Sequence, residues 1–216
     1  LRFWERKEVK DIVAYLRLIA NEADNLSFRR VVNTPTRGIG SASVDRLEAY
    51  AAIHLTSLWG AACSQEAMQL ITPRSQRAIA QFTGVIQTLR RMSENTPVSD
   101  LVKETLERSG YMEALKSERT MEARGRIENL EELVSVATMF DTQAEDTSLE
   151  AFLSQVALVS DIDALEDDAQ PVTLMTLHAA KGLDFPIVVL AGLEEGVFPH
   201  SRSLYEPGQL EEERRL

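Results

Sequence analysis

Residues 172–192 read VTLMTLHAAKGLDFPIVVLAG, two apolar runs rich in β-branched side chains around a short polar switchback. The second run, PIVVLAG, is apolar continuously rather than alternately, which is the pattern of a strand covered on both faces. Two strands joined by one short connection cannot hide both of their faces by themselves. Nearly everything ahead of residue 160 carries helical periodicity, so no further strands are at hand to complete a sheet. The expectation is a mainly α chain: a helical block inserted between incomplete α/β segments that contribute two or so strands.

The helical block can be read turn by turn. Val9, Ile12, Val13, Leu16 and Ile19 recur at helical spacing in residues 4–20. Its charges read as a surface helix laced by local pairs. NTPTRGIGS (33–41) is turn chemistry, with Ser41 placed to cap SASVDRLEAYAAIHL. Thr72-Pro73 and Thr96-Pro97 repeat one start signal, an N-cap followed by proline in the first helical position. The first opens a helix through Ile79, Phe82, Ile86 and Leu89, the second a helix ending near Gly110. The longest pattern, 120–140, puts Ile127, Leu130, Leu133, Val134 and Ala137 on one stripe. Thr147 and Glu150 form a capping box for the next helix, and SDIDALEDDAQ (160–170) reads as an acidic linker.

A net charge of −11 argues against a nucleic-acid partner until its distribution is examined. Residues 1–46 carry nine Lys/Arg against six Asp/Glu, whereas 141–216 carry four against sixteen. Local field near a polyanion matters more than the total. No stretch is apolar enough for a membrane span. The charged start LRFWERKEVK lacks a signal-peptide centre, so a cytoplasmic protein is expected. The single cysteine, Cys63, excludes an internal disulfide and a cysteine-rich metal site. It is expected as a buried, inert thiol on a packing face.

Two stretches carry chemistry. In TPTRGIGSASVDRL (34–47), Gly38, Ile39 and Gly40 precede a capped helix. Glycines there let a ligand approach the backbone, and the helix N-terminus favours an anion. Such a turn holds phosphate without reading bases. Thr36, Arg37, Gly38, Ile39, Gly40 and Ser41 are therefore the candidate duplex contacts, with Arg46 a further source of charge. A plain interhelix turn has the same pattern. In the switchback, Thr176, His178, Lys181, Gly182 and Asp184 lie where α/β sheets present ligands. His178 suits single-stranded DNA; Lys181, Gly182 and Asp184 suit phosphate and ribose. Taken singly, each also suits a structural role. No HExxH, nucleophile elbow, GxGxxG or Walker A motif occurs, so no catalytic or metal-binding residue is assigned.

Together FWERKEVKDIVAYLRLIAN, VVNTPTRGIGSASVDRL, VTLMTLHAAKGLDFPIVVLAGLEEGVFPHSRS and EEERRL resemble the UvrD/PcrA/Rep family of superfamily 1 DNA helicases, from end to end and nearest the PcrA/UvrD branch. The resemblance implies two RecA-like motor domains that hydrolyse ATP with Mg2+ and step 3′ to 5′ along single-stranded DNA. It implies that 23–168 are the helical 2B subdomain, and that 1–22 and 169–216 belong to the second motor domain, 2A. Residues 172–192 then correspond to motif V, with His178 the single-strand contact and Asp184 where relatives usually carry glutamate. Gly38, Ile39 and Gly40 match the family's GIG element on the duplex. The Walker lysine, the acidic pair and motif VI with its arginine finger, worth ~10³ or more in rate in related phosphoryl transfer, are absent. The 216 residues alone are thus expected to bind no cofactor and turn over no ATP. DNA is the expected partner, with repair or transcription proteins also possible for a regulatory module that docks proteins and gates the motor.

Overall fold

The computed structural model describes residues 3–163, with side chains through 159, together with 174–176, 180, 183, 185, 187–192 and 194. The chain divides into two compact units, Leu1–Glu166 and Asp167–Leu216. In the first, a 3-10 turn (Phe3–Glu5) leads into α1 (Lys7–Ala20), α2 (Asn25–Val31), α3 (Ser41–Ile53), α4 (Leu58–Cys63) and α5 (Gln65–Gln69). The long α6 (Pro73–Ser93) follows, then α7 (Val98–Arg108), α8 (Tyr111–Glu118), α9 (Met121–Gln143) and α10 (Leu149–Asp163).

Helix α1 is the centre of this unit and not a surface helix. It packs against α2, α6, α7, α9 and α10. Val9, Ile12, Tyr15, Leu16 and Leu18 are fully buried. The expectation that residues 1–22 go with flanking segments meets a helix wholly integrated into the helical body. Its charge pattern misleads because Glu8 and Asp11 are buried too. Such carboxylates are tolerable only when hydrogen-bonded. Asp11 accepts from Arg30 Nε and from the Tyr111 hydroxyl, both at 2.8 Å. Glu8 accepts from the Asn129 amide. These partners come from α2, α8 and α9, beyond the reach of any local pattern.

Phe82 of α6 anchors the core beside α1 and α2, edge-on to Phe28 at 5.6 Å and to Tyr15 at 6.3 Å. Helix starts follow local rules in part. Thr72 accepts from the Ser75 amide with Pro73 in the first turn. By contrast, Asp141 of α9 caps α7 from outside, accepting from the amides of Val98 (3.0 Å) and Ser99 (2.9 Å). Thr96 therefore does not cap it. At α10 the cap is Ser148, which accepts from the Ala151 amide, rather than Thr147. Cys63, expected to be buried, is exposed at the end of α4. Desolvation and the Glu22 carboxylate nonetheless push its thiol up, so it is a poor nucleophile.

In the second unit no strand occurs among the described residues. Ile187 and Val189, expected inside a sheet, are 83% and 85% exposed. A run apolar on both faces needs neighbouring strands to pair with, and none is present among the described residues. His178, Lys181, Gly182 and Asp184 lie outside the described residues.

Candidate nucleic-acid interface

The hairpin between α2 and α3 is held by two side chains of its own. Asn33 Oδ1 accepts from the amides of Arg37 (2.8 Å) and Ile39 (3.2 Å). This is the local side-chain mimicry of a turn that Asn provides. Arg37 turns inward. Its Nη1 donates to the carbonyls of Val31 (3.0 Å), Pro35 (3.2 Å) and Val32 (3.4 Å). Its Nη2 donates to the Tyr15 hydroxyl (2.6 Å) and the Ser109 carbonyl (2.9 Å). The guanidinium lies 5.3 Å from the centre of the Phe82 ring. It thereby satisfies the carbonyls that the end of α2 leaves open, at the pole of that helix where a cation is favoured. Ile39 is 3% exposed, an apolar pin for the loop.

Of the six hairpin residues expected to meet DNA, the structure thus turns Arg37 and Ile39 inward, where they build the loop. Thr36, Gly38, Gly40 and Ser41 remain exposed. Gly38 has φ +75°, a conformation that favours glycine. Gly40, not Ser41, is the N-cap of α3, and with no side chain it leaves the first-turn amides uncapped. The amides of Gly38, Gly40, Ser41 and Ala42 have no hydrogen-bond partner among the described residues. A Cβ built on Gly40 meets nothing within 4 Å. These amides belong to exposed residues at a helix N-terminus, a position that favours an anion.

A second helix start lies alongside. The hydroxyls of Ser43 and Ser75, both buried, bond at 2.9 Å and join the first turns of α3 and α6. From α6, Arg74 lays its guanidinium against Gly38, with Nη2 3.0 Å from where a Cβ would sit. Arg74 is exposed and has no acceptor or ion pair among the described residues. Sequence reasoning passed over it, because 36 positions separate the two and only tertiary packing unites them. Arg46, expected as extra charge, donates instead to the Leu70 carbonyl at 2.6 Å.

Two helices, α2 and α3, are thus joined by a glycine hairpin in which several amides lack a partner among the described residues. The chain belongs to the UvrD-like helicase C-terminal domain family, whose pattern matches residues 1–216. It is 45% identical over 221 residues to the ATP-dependent DNA helicase PcrA of Bacillus subtilis. It is 42% and 41% identical over 219 residues to the PcrA proteins of Staphylococcus epidermidis and Staphylococcus aureus. In each case the whole chain is covered, and it spans about 30% of the relative's length.

Proposed function

We propose that this chain is the duplex-gripping and motor-completing portion of an ATP-dependent DNA helicase that unwinds DNA in the 3′ to 5′ direction. The helical unit is the 2B subdomain, and the hairpin at 36–41 is its contact with the duplex backbone. Because α1 is packed at the centre of that unit, its junction with the motor lies ahead of α1. Residues 169–216 belong to motor domain 2A. There His178 faces single-stranded DNA, and Lys181, Gly182 and Asp184 face the nucleotide. ATP and Mg2+ act in the full-length enzyme; without a Walker lysine these 216 residues turn over none themselves.

The observation that carries this reading is the set of amides at Gly38, Gly40 and Ser41, on exposed residues and without a hydrogen-bond partner among the described residues, beside an arginine that is likewise unpaired among them. Gly40 offers the cleanest test. Its backbone, φ −74° and ψ 155°, suits any residue, and there is room for a side chain. Gly40→Asp supplies the missing N-cap and raises stability by roughly a few tenths of a kcal/mol. The same carboxylate occupies the anion position, so duplex affinity at low salt falls about tenfold or more. A variant that is more stable and binds duplex as tightly as before contradicts the grip and leaves protein docking as the role of this unit.

A further inference from the structure

The hairpin presents two arginines with opposite surroundings. Arg37 has five protein acceptors and an aromatic ring beneath it. Arg74 has none among the described residues and lies exposed against the hairpin. We propose a division of labour between them: Arg74, from α6, is the cation that meets a backbone phosphate, and Arg37 is a positioning residue that shapes the loop without touching the ligand. This rests on the duplex-binding reading above and specifies which side chain serves it.

Three features support the assignment. A guanidinium already holding five acceptors has little capacity left for an outside anion. Moving it outward would open the end of α2 and expose its carbonyls and those of Pro35 and Ser109. Arg74, conversely, is placed by rigid neighbours. Pro73 fixes the turn before it, and Ser75 after it is buried and bonded to both Ser43 (2.9 Å) and Thr72 (3.1 Å). Finally, the absent side chain of Gly38 is what admits Arg74. A methyl group there would sit 3.0–3.4 Å from three atoms of the guanidinium. Gly38 therefore serves two ends, the left-handed backbone and the seat of this arginine.

The experiment is duplex binding by the 216-residue chain across a salt series, using a blunt DNA duplex of random sequence. Each phosphate contact contributes about 0.9 to the slope of log affinity against log salt. Arg74→Ala is expected to reduce that slope by about one and affinity at low salt by about tenfold, with the thermal midpoint unchanged. Arg74→Lys is expected to retain the slope. Arg37→Gln, measured where circular dichroism shows it folded, is expected to lose affinity at unchanged slope, a split that mere loss of stability does not produce. If Arg37→Gln does not fold, the two Arg74 variants decide the matter. An unchanged slope in Arg74→Ala, or a slope lowered by one in Arg37→Gln, overturns the assignment while leaving duplex binding intact. If the unaltered chain binds no duplex at any salt, the functional reading and this inference fall together.

Discussion

Asn33, Arg37 and Tyr15 show how much of a loop's shape is decided by where its polar atoms find partners. The Tyr15 hydroxyl donates to the Thr34 carbonyl and accepts from Arg37, linking α1 to the hairpin. Burial pushes this hydroxyl up to about 12, against the opposing pull of the Arg37 guanidinium. Burial, with the Asp11 carboxylate beside it, raises Tyr111 as well. An unfolded tyrosine ionises near pH 10. Between pH 10 and 12 the unfolded chain therefore releases a proton that folded Tyr15 keeps, and stability falls as pH rises through that window. Two pH units correspond to on the order of 2–3 kcal/mol for one such group. Thermal melts are expected to be insensitive to Tyr15 ionisation below pH 10. Above it they are expected to decline more steeply than those of Tyr15→Phe. Equal declines in the two proteins would remove Tyr15 from the account.

Helices reveal which signals were legible. The start of α6 was legible in Thr72 because a cap acts within three residues; Thr120 caps α9 by the same rule, though only the stripe that follows it was read from the sequence. The stripe on α9 holds at Leu130, Leu133 and Ala137, all fully buried. The short α2, α4, α5 and α8 give too few turns for periodicity to register. Helix α7 is a different failure: its cap arrives from Asp141 of α9, some forty residues on. No local pattern encodes that. Asp141→Ala leaves two first-turn amides without their acceptor and is expected to destabilise the chain by about 1–2 kcal/mol. Chemical denaturation is the check, and a loss below a few tenths would mean water replaces the carboxylate at no penalty. The candidate site divides the same way. Its glycines and Asn33 were readable because turn chemistry is local. Arg74 and the inward turn of Arg37 were not, since both depend on contacts made across the fold.

At the scale of the whole molecule, charge is spread unevenly along the chain. Residues 1–46, which hold the hairpin, are net basic, and the acidic excess falls in 141–216. A chain of net charge −11 can therefore present a locally favourable face to a polyanion. Among the described residues no helix is long and apolar enough to cross a membrane, and no cluster of metal-ligating side chains occurs. The exposed apolar run at 187–190 belongs to a segment proposed to enter the motor sheet. Its unbroken apolar character was legible, but pairing partners are what make a strand.

The most direct test of the central claim is a two-dimensional 15N–1H spectrum of the chain recorded as blunt duplex DNA is added. The account predicts that the amide signals of Gly38, Gly40, Ser41 and Ala42 shift first and furthest, and return as salt is raised. The Arg37 and Ile39 amides, held by Asn33, should move least within the loop. Shifts confined to other surfaces, with these four amides unmoved at saturating duplex, would contradict it.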